Sequence, residues 1–184
     1  MSKFFTVTFP LFLFCVLFPI SAEAQDFPKL DASPMDITIA RNADMSPLIR
    51  VIYSRPQKRN RVIFGNLVPF GEVWRTGANE ATEVRIYEPL LLGSTRIEAG
   101  TYSLFTIPGD KEWIFILNCD VNLWGAFNYD RNQDEARISI KPKRAAAPIE
   151  SLSMAFKPAD DGVSLMIGWD DTFVEVPFKK INRK

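Results

Sequence analysis

Short runs in which apolar and polar residues alternate with period two, each closed by turn-forming residues, set the terms on which this chain can fold. Asp36-Ile37-Thr38-Ile39, Leu48 to Tyr53 and Thr82 to Tyr87 alternate in this way, which puts every second side chain on one face of a strand. Gly100 to Ile107, Glu112 to Leu117, Ala136 to Lys141, Ile149 to Phe156, Val163 to Trp169 and Thr172 to Val176 are further β-branched or aromatic runs of strand length. Gly93-Ser94, Pro108 to Lys111, Asp160-Asp161-Gly162 and Asp170-Asp171 stand at the breaks and predict hairpin turns. Lys141 to Pro148 reads as an exposed connection. The pattern predicts an all-β domain, an antiparallel β-sandwich or barrel-like fold of jelly-roll type with about eight to ten strands.

One stretch departs from it. Residues 54–80 carry Pro56, Gly65, Pro69, Gly71 and Gly77 in close succession, so no long strand fits there. Ile63, Phe64, Leu67, Val68, Phe70, Val73 and Trp74 are too apolar for a disordered tract, and a long ordered loop packed on the sheet is expected.

The first 24 residues stand apart from the domain. Lys3 precedes an apolar run from Phe4 to Ile20, and Ala22-Glu23-Ala24 matches a cleavage site, the pattern of a secretory signal peptide. The uninterrupted part, Phe9 to Ile20, is too short for a membrane span and contains Pro10 and Pro19. Residues 25–34 then read as a flexible segment and 35–180 as one β-rich domain, exported to the periplasm or beyond, with no stable membrane insertion after cleavage. Removal of 1–24 takes Cys15 with it, so Cys119 is left without an intramolecular disulfide partner.

Composition removes several chemistries. The chain has no histidine, which excludes Ser-His-Asp and Cys-His nucleophile systems and imidazole-ligated zinc. With 22 basic and 22 acidic residues it lacks the excess charge of a nucleic-acid binder. Charge is nevertheless uneven: residues 41–75 hold Arg41, Arg50, Arg55, Lys58, Arg59, Arg61 and Arg75 against Asp44 and Glu72, either a local basic patch or side chains scattered over separate faces. Asp130, Asn132 and Asp134 have alternating oxygen spacing, but Glu135 stands at the turn glycine of a calcium loop and Lys141 at its bidentate glutamate, so no metal site is assigned. No cofactor motif is present.

Several strings are long and specific: Tyr53-Ser54-Arg55-Pro56, Ile63-Phe64-Gly65, Leu67-Val68-Pro69-Phe70-Gly71, Val73 to Thr82 (VWRTGANEAT), Gly100 to Pro108 (GTYSLFTIP) and Trp124 to Tyr129 (WGAFNY). On these the chain, over roughly Asp36 to Pro177, resembles the bacterial secreted family known as domain of unknown function 2911. The resemblance implies export and a single β-rich domain, and carries no catalytic residue over to this chain. Relatives that hold Lys or another polar residue in place of Cys119 imply that this thiol lies outside any shared mechanism.

Two groups of residues are candidates for a site. Arg75, Asn79 and Glu80 put a guanidinium, an amide and a carboxylate within six positions, a set able to read hydroxyls or a carboxylate; equally, Arg75 could pair with Glu80 and brace the loop. Trp124 and Tyr129 flank Phe127 after Gly125 and could stack on a sugar or grip a peptide, although large aromatics are more often buried. The primary expectation is a non-enzymatic binding module for a glycan or cell-envelope component. The alternatives are a structural or protein-interaction domain, and a histidine-free hydrolase with paired carboxylates drawn from Glu72, Glu80, Glu83 and Asp130.

Overall fold

A computed structural model describes residues 25–181; the expected signal peptide and Cys15 lie outside the described residues. Among the described residues, ten strands form two antiparallel sheets, neither closed into a barrel, packed as a sandwich. The larger sheet has the order β1-β2-β3-β6-β7-β8, built from β1 (Met35–Arg41), β2 (Pro47–Ser54), β3 (Thr82–Ile86), β6 (Gly100–Ile107), β7 (Trp113–Asn118) and β8 (Asp134–Ile140). The smaller has the order β5-β4-β10-β9, from β4 (Leu90–Leu92), β5 (Thr95–Ile97), β9 (Lys143–Ala159) and β10 (Gly162–Lys180). Among the described residues there is no α-helix, and no helix long and apolar enough to cross a membrane.

The alternation does its expected work where one sheet face is wet. In β3, Thr82, Val84 and Ile86 are buried and Glu83 and Arg85 point outward. They join Leu48, Val51, Tyr102, Leu104, Trp113, Phe115, Leu165, Trp169, Val176 and Phe178 between the sheets, where removing apolar area from water supplies the main stabilisation. The strands β6 and β7 do not alternate, because the segment 119–133 covers their second face as well: Phe105 and Ile116 are buried there, and the Tyr129 ring meets Phe105 edge-on at 5.0 Å.

The hairpins fall where turn residues predicted them, at 93–94, 108–112 and 160–161. The turn at Asp170-Asp171 lies inside β10, which folds back on itself. Asp170 has φ 56°, Gly168 faces Thr172 and Phe173 across the reversal, and Lys180 N donates to Asp161 O at 2.7 Å at the far end. Thus Val163 to Gly168 pairs with β9 and Phe178 to Lys180 with β4. Lys141 to Pro148 is exposed as expected but is no connection: from Lys143 it belongs to β9, and Lys143 and Arg144 pair with Phe173 and Thr172.

Candidate functional site

The loop over 54–80 is ordered by long-range backbone bonds. Arg55 opens it, its guanidinium donating to Leu152 O (3.0 Å), Asp36 Oδ2 (2.9 Å) and Ser153 Oγ (2.9 Å). Lys58 N donates to Glu150 O at 2.7 Å, and Lys58 Nζ pairs with Asp170 at 3.1 Å. Arg59 and Asn60 take positive φ of 49° and 59° and turn the chain back. Farther on, Ile63 and Val68 are buried, Phe64 packs on Trp113 at 4.7 Å, and Trp74 exchanges backbone bonds with Thr106. Thr76 is locked by its hydroxyl contact to Thr106 Oγ1 at 3.0 Å and by Thr82 Oγ1, which donates to its carbonyl at 2.8 Å.

This path leaves a cleft of about 330 Å³ between the loop and the β10 reversal, lined by Gln57, Arg59, Arg61, Arg75, Trp74 and Trp169 among others, with no Asp or Glu in its lining. Arg61 is aimed by two backbone carbonyls, donating from Nε to Lys58 O (2.9 Å) and from its terminal amino group to Gln57 O (2.5 Å). Arg59 Nε donates to Gln57 Oε1 at 3.2 Å. The Glu150 carboxylate accepts from Arg59 N at 2.9 Å. Arg75 is different in kind: its Nε is shielded from solvent and has no hydrogen-bond partner among the described residues. Burial accordingly holds its guanidinium below the ordinary arginine pKa.

The five predicted site residues do not form one site. Arg75 lines the basic cleft. Asn79, with φ 58°, turns away and donates from Nδ2 to Asp31 Oδ1 at 3.2 Å. Glu80 is exposed and lines a separate depression of about 240 Å³ on the outer face of the larger sheet, with Glu83, Ile52, Met35 and Leu123. The expected Arg75–Glu80 ion pair is therefore absent: the left-handed residues Thr76 and Asn79 between them send the two side chains to different surfaces. Trp124 is bridged to Glu80 through backbone, yet the residue is 61% exposed and Phe127 is 83% exposed, against the expectation of core packing. Tyr129 is half-buried in a network, donating to Asp134 Oδ2 at 2.7 Å and accepting from Arg137 at 2.7 Å. Of the carboxylates considered for hydrolysis, Glu80 and Glu83 share a depression, while Asp130 caps a 3₁₀ turn by accepting from Asn132 N at 2.9 Å. The Asp134 carboxylate is taken up by Tyr129, Arg137 and Asn118, so it is not free to join Asp130 and Asn132 around a cation.

The family model described as "Protein of unknown function (DUF2911)" matches residues 33–178. The chain belongs to this family. No curated protein and no solved structure matches it. The matched span of this DUF2911 chain contains the whole loop and all three cleft arginines. Arg59 and Arg61 were visible in sequence only as part of the basic run in 41–75; their convergence on Arg75 depends on Lys58 and Arg59 being bonded to Glu150, ninety residues away in the chain.

A larger depression of about 690 Å³ lies by Asn42, Asp44, Arg96 and Lys180. Three of its four charged side chains are already engaged, Arg96 with Glu98 at 2.6 Å, Lys180 with Asn42 Oδ1 at 2.5 Å, and Asp44 with Ser46, and the fourth, Glu88, is itself a carboxylate. Of the two shielded side-chain donors without a partner among the described residues of this DUF2911 domain, Arg50 Nε and Arg75 Nε, the second belongs to a residue lining the smaller cleft.

Proposed function

We propose that the protein is an exported, non-enzymatic binding module that holds an acidic group of a glycan or other cell-envelope component in the cleft of Arg59, Arg61 and Arg75. The observation that supports this reading is the shielded, unpartnered Nε of Arg75 in a lining without a carboxylate. A buried donor left unmade costs about 1–3 kcal/mol, and a bound carboxylate, sulfate or phosphate oxygen would satisfy it. The planar guanidinium suits such oxygens side-on. Gln57 adds an amide for neighbouring hydroxyls, and Trp74 and Trp169 give the cleft an apolar wall.

Calorimetric titration with glucuronate, sulfate and phosphate, with glucose as the neutral control, tests this. At least one anion binds, glucose does not, and Arg75→Met weakens binding by roughly ten- to a hundredfold, the loss of a hydrogen bond to a charged partner. Binding that Arg75→Met and Arg61→Ala leave untouched, or no binding by any anion, overturns the reading.

A further inference from the structure

The outer face of β1, β2 and β3 lies on a different surface from the cleft. Its side chains form two rows across the strands. In one, Ile39, Arg50 and Arg85 stand opposite one another; in the next, Ile37, Ile52 and Glu83 do. Ile37 is 53% exposed, and Ile39 and, beyond the rows, Met35 are exposed too. The other half of this sheet face is covered by the chain itself, through segment 119–133, whereas this half meets that segment at its edge, where Asn122 and Leu123 line a depression with Met35, Ile52 and Glu83.

The charges on it are arranged against the monomer. Arg50 and Arg85 are cross-strand partners, and like charges directly opposite are destabilising. Arg50 Nε is shielded and has no partner. Arg85 donates to Thr101 Oγ1 at 3.0 Å and sits over the Tyr87 ring, with no carboxylate paired to it among the described residues. Glu83 is on the same face, two residues along β3 from Arg85, and is likewise without an ion-pair partner.

We infer that this face is the contact between two copies of the chain. A two-fold axis lying in the plane of the face, across the strands and between the two rows, exchanges the rows. Ile39 then meets Ile37 of the partner subunit, Arg85 meets the partner's Glu83, and Arg50 lies over the partner's Ile52 within reach of that same carboxylate. A closed dimer requires such a self-complementary patch, and this face supplies it with isoleucine on isoleucine at β1 and Arg85 on glutamate at β3. The inference is independent of the anion cleft, which the dimer leaves open.

Sedimentation of the purified protein over a concentration series reads the outcome. The wild type sediments as a dimer that weakens with added salt. Arg85→Glu and Glu83→Arg each weaken it at least about tenfold, by setting like charges face to face. An equimolar mixture of the two variants recovers a dimer, because each new charge then meets its opposite. Thermal unfolding confirms that both variants are folded, as expected for half-buried side chains on the outward face of β3. A wild type that remains a monomer, a dimer indifferent to both variants, or a mixture that stays dissociated overturns the inference, as does a monomer that pellets with anionic lipid vesicles through this face.

Discussion

Trp74 and Trp169 stack with ring centroids 6.0 Å apart and planes inclined by 19°, and this contact ties the long loop to the reversal in β10. Both indoles are buried, and both nitrogens are satisfied, Trp74 Nε1 by Gly77 O and Trp169 Nε1 by Glu150 O, each at 3.2 Å. Trp169→Ala is expected to cost about 3–5 kcal/mol of unfolding free energy, the usual range for emptying a large aromatic site in a core. Because the same ring walls the cleft, anion affinity falls along with the urea midpoint. A substitution that lowers one and spares the other separates the brace from the site.

The doubling back of β10 has its own test. A Cβ built at Gly162 would stand 2.0 Å from Phe178 O, a main-chain atom that cannot step aside. Gly162→Ala must therefore push apart the end of the hairpin, where Lys179 and Asp161 also pair at 2.8 Å. About 1–3 kcal/mol of destabilisation is expected, as for other overpacked sites. Amide exchange then accelerates at Lys180, whose N–H is bonded to Asp161 O. A neutral substitution would place Gly162 far from Phe178 and remove the reversal.

These two sites show why the fold could be read from the chain more completely than the site could. A turn at Asp170-Asp171 or Asp160-Asp161-Gly162 is written locally, in residues that tolerate or favour tight backbone conformations. Alternation in β3 is local as well. By contrast, the direction in which Arg75 and Glu80 point is decided by the positive φ of Thr76 and Asn79, and Thr76 is held there by Thr82 and Thr106. The exposure of Trp124 has a similar origin. Its backbone is clamped to Asn79 and Ala81, through Gly125 N and Leu123 O, and Gly125 takes φ 69° beneath the Phe127 ring. Aromatic size argues for burial, but backbone pairing decides which way the ring leaves the surface.

Cys119 offers a test of local electrostatics. Partial burial and then the Glu135 carboxylate push its thiol above the ordinary cysteine value, and Sγ lies 3.8 Å from Glu135 Oε2. The thiolate is the reactive form, so this exposed cysteine reacts with a disulfide reagent at neutral pH more slowly than free cysteine does. Glu135→Gln raises that rate roughly two- to fivefold, the scale of one charge at this separation in a well-solvated site. An unchanged rate would assign the shift to burial alone.

Tyr129 couples the segment over the outer face to alkaline stability. Burial first, and then its hydrogen bond to Asp134, raise its phenol to about 12 from the ordinary 10.0. Between about pH 10 and about 12 the folded phenol keeps its proton while the unfolded one has lost it, so the unfolded state binds fewer protons and stability falls as pH rises. Below pH 10 both states are protonated and this group contributes no slope. Burial also raises Tyr53 and Tyr102, so Tyr129→Phe is expected to remove part of the alkaline loss of the urea midpoint and not all of it. Asp134→Asn keeps the burial but deletes the carboxylate that disfavours ionisation, and a spectrophotometric titration should find the Tyr129 midpoint between 10.0 and about 12. A titration identical to wild type would mean that Asp134 does not govern this phenol, and the network joining Tyr129, Asp134 and Arg137 would then be a matter of packing only.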